Sequence, residues 1–258
     1  MLVLLSPAKK LDFESETLRS KFTQPTLLDE TKVLAKIAKT MREADLKNLM
    51  GISDKLAELN VARFKAFTTP FTLGNAKQAI DAFKGDVYQG LNAETLSDDA
   101  IDFTQSHVRI LSGLYGILRP LDLMQPYRLE MGIRFQNERG RNLYQFWGSI
   151  ITEQLNNDLD GGENAVVINL ASNEYFKAIK GKLLQARVIT PVFKEIKDGK
   201  PPKIISFLAK KARGLMTRYI IENRIDKADK IKDFCVNGYA YDEEMSTGDS
   251  WVFVRNIP

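Results

Sequence analysis

The 258-residue chain has one cysteine and one histidine. Cys235 has no partner for an internal disulfide, which fits a reducing compartment. A structural zinc site needs several Cys or His ligands, and haem or iron–sulfur ligation makes a similar demand, so neither is built readily around Cys235 and His107. No Glu-x-x-His pair of the di-iron kind occurs either. The expectation is therefore no metal and no cofactor. His107, in Gln-Ser-His-Val-Arg, reads as a capping or partly buried histidine late in a helix. Cys235, between Phe234 and Val236, reads as strand core. Long apolar runs are also missing: none approaches the roughly 20 residues that span a bilayer. The opening Met-Leu-Val-Leu-Leu is a short strand ended by Pro7 and lacks the basic segment that begins a signal peptide. No repeat, low-complexity tract or linker divides the chain. These absences together suggest a soluble, cytoplasmic monomer with no membrane partner.

What is present is an ordinary globular composition, 44% hydrophobic and 27% charged, enough to bury a sizeable core. Short apolar runs predict strands at 2–5, 87–89, 110–114, 165–170, 187–196, 203–208, 238–242 and 250–255. Helical periodicity predicts helices over 27–41, 75–83, 142–159, 173–179 and 209–224, with a further one capped at Ser97-Asp98-Asp99 and running towards Arg109. Gly161-Gly162 reads as a loop and Asp198-Gly199 as a hairpin turn. Strands from both ends of the chain, with helices between, predict an α+β fold: a single mixed-sheet body over 1–258, with a helical subdomain at 27–83.

Within that subdomain, residues 46–64 read as two amphipathic helices around the turn Met50-Gly51-Ile52-Ser53. Gly51 suits a backbone that a Cβ would strain, and Ser53 or Asp54 suits an N-cap. A turn of this kind presents backbone N–H groups at a helix N-terminus, where an anion can bind. With Lys47, Lys55, Arg63 and Lys65 nearby, the stretch has the pattern of a helix-hairpin-helix element, which holds nucleic-acid phosphate without reading sequence. The other reading is a helical hairpin whose task is packing.

The net charge of +4 is unevenly spread. Residues 176–232 hold sixteen Lys/Arg against five Asp/Glu, and residues 233–258 hold one arginine against five acids. That asymmetry points to a polyanionic partner, with a solvated surface as the alternative. On helix 209–224, Leu208, Ala212, Leu215, Met216 and Tyr219 fall on a core side. Lys210, Arg213, Gly214, Thr217 and Arg224 fall on the other, with Arg218 at the edge. Lys211 adds to the charge of this helix. The loop-like segment 111–132 carries Arg119 and Arg128, which suit phosphate, and Tyr115 and Tyr127, which could stack on bases. An internal Arg119–Asp122 lock is the competing reading. Asn169, Ser172, Asn173, Glu174 and Lys177 cluster straight after a buried strand, where sheet folds tend to place ligands.

Six stretches together resemble the bacterial YaaA family of peroxide stress resistance proteins. They are Ser6-Pro7-Ala8-Lys9-Lys10-Leu11-Asp12, Leu111-Ser112-Gly113-Leu114-Tyr115-Gly116, Arg119-Pro120-Leu121-Asp122, Tyr127-Arg128-Leu129-Glu130-Met131-Gly132, Val167-Ile168-Asn169-Leu170-Ala171-Ser172 and Lys211-Ala212-Arg213-Gly214-Leu215-Met216. The resemblance covers essentially the whole chain. It implies a stress-response protein that limits intracellular free iron and oxidative DNA damage under hydrogen peroxide, has an α+β fold with a helix-hairpin-helix and a positively charged cleft, and binds double-stranded or branched DNA. The resemblance transfers no catalytic residue. The residues expected to meet nucleic acid are Lys9, Lys10, Gly51, Ser53, Lys55, Arg63, Arg119, Arg128, Lys177, Lys210, Lys211, Arg213 and Arg218. The rival class is an enzyme on DNA or a nucleotide-like substrate, glycosylase- or lyase-like. It would use a lysine or carboxylate from among Lys9, Asp12, Asp122, Glu130, Glu174, Lys177 and Lys210.

Overall fold

The computed structural model of the chain describes residues 1–159, 164–197 and 199–257. The Gly161-Gly162 loop and the Asp198 half of the Asp-Gly turn lie outside the described residues. A seven-stranded mixed sheet organises the fold. Its strands in chain order are β1 (Leu2–Leu5), β2 (Val108–Ser112), β3 (Gly116–Leu118), β4 (Val166–Leu170), β5 (Arg187–Lys197), β6 (Ala240–Thr247) and β7 (Ser250–Ile257). Their spatial order is β6-β7-β5-β4-β1-β2-β3.

The central pairs β2–β1, β1–β4, β4–β5 and β5–β7 are all parallel, and the two edge pairs are antiparallel. Every residue of β1 is buried. The unbroken run Leu-Val-Leu-Leu suits a strand covered on both faces, where alternation would leave polar groups in the core. The mixed-sheet body expected of an α+β chain is present, and its centre is parallel.

From β1 the chain reaches β2 on one side of the sheet and returns through β4 on the other. The carboxyl ends of β1 and β4 therefore flank the point where the winding reverses, and the crevice outside such a point is where open parallel sheets bind ligands. Ser6, just after β1, accepts a hydrogen bond on Oγ from the Ser172 N–H at 2.8 Å, which ties the two strand ends together.

The helices are α1 (Leu28–Lys39), α2 (Glu43–Met50), α3 (Asp54–Ala66), α4 (Asp86–Leu91), α5 (Asp98–His107), α6 (Leu143–Trp147), α7 (Ile150–Asp158), α8 (Asn173–Phe176) and α9 (Ser206–Glu222). Ser97 caps α5 as predicted, accepting from the Ala100 N–H at 3.3 Å. His107 closes the same helix, with Nδ1 2.8 Å from the Phe103 carbonyl oxygen and its ring stacked on Phe103.

Several elements differ from expectation. Residues 87–89, predicted as strand, form part of α4, because Gly90 lets that helix lie against α9 at backbone contact. The helix expected over 75–83 is a single turn, Ala79–Ala82, because Lys77 and Gln78 pair with Met124 and Leu123 as a two-residue ladder. Gly148 (φ +49°) breaks the 142–159 helix into α6 and α7. The helix after Ser172 ends at Phe176, and the Ser172 side chain makes no cap hydrogen bond. Residues 203–208 give one bridge, Lys203 to Glu195, before α9 begins at Ser206. Cys235 is exposed and lies outside any strand.

On α9 the expected faces are partly exchanged. Gly214 and Thr217, assigned to the outer side, are buried, while Leu208, Leu215 and Tyr219 are only half-buried. Gly214 does admit a close backbone, but that backbone is α4: a Cβ there would overlap the Val87 carbonyl oxygen.

Candidate functional site

A cavity of about 360 Å³ opens at the carboxyl ends of β1 and β4. Five separated stretches build its wall. Ser6, Lys9 and Lys10 come from the turn after β1, and Ser172, Glu174 and Tyr175 from the turn after β4. Lys84, Asp86 and Tyr88 come from the approach to α4 and from α4 itself. Tyr127, Arg128 and Glu130 lie on the loop after β3, and Lys210 and Arg213 on α9. Pro7 ends β1 and turns the chain so that Lys9 and Lys10 reach the rim. The α4–α9 crossing brings Asp86 and Tyr88 to the same mouth as Lys210 and Arg213. A second hollow shares Lys10, Lys84, Gly85 and Tyr88 with the first, so the depression continues along the Lys10–Lys84 ladder.

The charges inside are unequally matched. Glu130 receives both Lys9 (3.1 Å) and Arg128 (3.2 Å) on one carboxylate oxygen, and its other oxygen is buried with no partner. Glu174 accepts from the Gly132 N–H at 2.9 Å. Lys84 reaches Glu94 and, at 3.8 Å, Asp12. Hydrogen bonds from the Ser15 hydroxyl and backbone hold the Asp12 carboxyl well down, at about 2. Among the described residues, Lys10, Lys210 and Arg213 line the cavity without any ion pair. Arg213 stands out: its Nε is buried without a hydrogen bond, and burial alone pushes its pKa down. A cation removed from water and given no counter-charge costs free energy until an anion arrives.

The rest of the wall joins Tyr88, Tyr127 and Tyr175 to the aliphatic Pro7, Val87 and Leu129. Tyr88 donates to the Ser6 carbonyl oxygen at 3.0 Å, and the Tyr127 hydroxyl lies 2.6 Å from Ser112 Oγ. Burial raises both phenols above their ordinary range. Their hydroxyls are thus engaged with the protein.

Of the thirteen residues expected to meet nucleic acid, Lys9, Lys10, Arg128, Lys210 and Arg213 converge on this cavity. The others lie elsewhere. Arg119 is the internal lock: it binds Asp122 through Nε and Nη2 at 3.1 and 2.9 Å and the Gln24 carbonyl oxygen at 2.9 Å. Arg218 caps the end of α4, reaching the Leu91 and Asn92 carbonyl oxygens at 3.1 and 2.9 Å, and pairs with Glu222 at 2.7 Å. Lys177 lies over the Tyr144 ring, 5.4 Å from its centroid. Lys211 is exposed on α9, and its backbone carbonyl faces Gly90.

Gly51, Ser53, Lys55 and Arg63 sit on the α2–α3 hairpin, and none of them lines the cavity. Gly51 adopts the left-handed turn (φ +60°) and Ser53 caps α3, accepting from the Leu56 N–H at 3.4 Å. The hairpin is present, but its N-terminus is occupied. The Gly51 and Ile52 amides both turn to the Lys47 carbonyl oxygen, and the Asp54 carboxylate stands there, paired with Lys47 at 2.7 Å. A carboxylate at that end repels a second anion. Arg63 lines a separate hollow with Leu59, Ala62 and Lys77, and its pKa is lowered by burial and by the charge of Arg128.

Of the enzyme candidates, Lys9, Glu130, Glu174 and Lys210 line the cavity. Asp122 is locked to Arg119, and Asp12 belongs to the second hollow. Sequence reasoning missed Ser6, Lys84, Asp86 and Tyr88. Taking 87–89 for a strand hid the helix that carries Asp86 and Tyr88. Ser6-Pro7 closing an apolar strand was the signal for the rim at Ser6.

Among the described residues, no three His, Cys, Asp or Glu side chains group so as to hold a metal ion, and no helix is long and apolar enough to cross a membrane. What the cavity offers chemically is three cations without ion pairs, set to receive an anion. A family model described as peroxide stress protein YaaA matches residues 1–245.

Proposed function

Since the chain belongs to the family of the peroxide stress protein YaaA, we propose that it serves peroxide resistance as a DNA-binding protein without sequence specificity. On this reading it takes DNA phosphate into the cleft around Lys10, Lys210 and Arg213, so shielding DNA and limiting free iron and oxidative damage. One observation carries the reading: cations from remote parts of the chain meet at a parallel-sheet switch point, and the most buried of them, Arg213, has no counter-charge. Phosphate contacts position a protein on nucleic acid without specifying bases. The cavity is narrow relative to a duplex, which favours branched, bent or frayed DNA over a straight helix. An effect on iron is indirect on this account, because the chain offers one histidine and one cysteine as soft ligands. Gel shifts with straight and branched duplexes test the reading. Branched DNA should bind more tightly, and both should weaken steeply with salt. Absence of a shift at low salt would refute it.

A second reading, an enzyme on DNA or a nucleotide-like substrate, is favoured by the exposed Lys9 and its partner Glu130, 3.1 Å apart in the cavity lining. A lysine acting as nucleophile would leave an adduct trapped by borohydride on abasic DNA, and binding alone would not.

A further inference from the structure

The cavity has features that a general phosphate-tracking groove does not require. It is enclosed by five stretches of chain and is about 360 Å³ in volume, within the roughly 300–1,000 Å³ of small-molecule sites. One part of its lining, Lys210 and Arg213 on α9, is cationic and without ion pairs among the described residues. Glu130 is held between Lys9 and Arg128 on one oxygen, and its other oxygen is closed off from solvent, so it offers a ligand no free acceptor. The same lining carries Tyr88, Tyr127 and Tyr175, all buried. The hydroxyls of Tyr88 and Tyr127 are spent on the Ser6 carbonyl and Ser112, and burial raises the Tyr175 phenol above its ordinary range. A ligand satisfying both parts at once carries an anionic group and a flat body of low polarity. Inorganic phosphate lacks the body, and straight duplex backbone keeps its bases stacked away from the wall.

We propose that this cavity is a mononucleotide site. It binds one nucleoside monophosphate unit, with the phosphate on Arg213 and Lys210 and the base against the tyrosine wall. The proposal deepens the DNA-binding reading and rests on it, since a frayed end or an extruded nucleotide of a bound strand supplies such a unit. A free nucleotide carries the same chemistry.

The test is calorimetric titration of the full chain with 5′-AMP, adenosine and inorganic phosphate, alongside branched duplex DNA followed by anisotropy. AMP should bind saturably, and adenosine and phosphate each at least about tenfold more weakly, because each satisfies only part of the site. Arg213→Lys keeps charge and loses the planar fork, so it should weaken AMP several-fold in a protein of unchanged circular dichroism. Arg213→Ala should weaken it about tenfold or more, since both the charge and the fork are lost. Competition separates the sources. If a short 5′-phosphorylated single strand displaces AMP, a strand end occupies the cavity. If it does not, free nucleotide is the occupant. Phosphate binding as tightly as AMP, or AMP failing to bind while DNA binds, overturns the nucleotide site and leaves the DNA reading standing. Failure of both DNA and AMP overturns the two together.

Discussion

The backbones of Gly90 and Gly214 are in contact: a Cβ on Gly90 would lie 3.1 Å from the carbonyl carbon of Gly214 and would overlap the Lys211 carbonyl oxygen. This crossing sets α4 on α9 and so holds the Tyr88 side of the cavity against the Arg213 side. Backbone cannot yield as a flexible side chain does. Gly214→Ala should therefore cost about 3 kcal/mol or more in urea denaturation, at the upper end of overpacking penalties. Ala212→Gly, on the same helix and buried, should cost about 2 kcal/mol, from helix propensity together with the lost methyl. Equal, small losses for both would mean the helices are not packed this closely.

Arg119 and Arg213 look alike in sequence and differ in role. Asp122 is almost fully buried (1% exposed); burial raises its carboxyl pKa while Arg119 pulls it back. Arg119→Ala leaves that carboxylate unpaired and should destabilise the protein by about 3 kcal/mol. Affinity of the folded protein for DNA should be unchanged. A large loss of DNA affinity at unchanged stability would move Arg119 into the binding surface.

The α2–α3 hairpin should contribute little to binding. Its N-terminal amides are partly spent on Lys47 and Ser53, and Asp54 opposes a phosphate. Lys55→Ala should change DNA affinity less than about threefold, as expected of one exposed charge at ordinary salt. Asp54→Asn should raise affinity slightly if phosphate approaches at all. A tenfold loss on Lys55→Ala would restore the hairpin as the main grip.

Asp12 gives a pH signature. Hydrogen bonds hold its folded pKa at about 2, below the ordinary aspartate value, so its bonds to Ser15 stabilise the fold fully above about pH 4. That contribution fades as pH falls through about 2. The side chain is partly exposed, which screens the effect, and Asp12→Asn should cost about 1 kcal/mol at pH 7. The difference from the parent protein should stay constant from pH 7 to 4 and narrow below that. A gap that widens in acid would contradict the assignment.

Much of the fold was legible because local and global preferences agreed. The four apolar residues of β1, the run of β4 and the capped α5 each carry their own signal. Reading failed where a tertiary contact decided. Val87-Tyr88-Gln89 has strand-like composition and becomes helix because Gly90 meets Gly214. Thr217, on the outer side by periodicity, is buried because α9 is covered on more than one side. The cations of the cavity were visible as residue types, but their convergence depends on strand order, which periodicity does not encode. Arg119 and Arg218 show the converse: each is bound to carbonyl oxygens that no sequence pattern announces.

The most direct test of the central claim is the salt dependence of DNA binding, measured by anisotropy, for the parent protein and the Lys210→Ala/Arg213→Ala double variant. A cleft that neutralises phosphates through these two side chains should lose close to two units of log–log slope in the variant, at about 0.9 per contact, with affinity falling about a hundredfold at low salt. An unchanged slope and affinity in a folded double variant would contradict the account.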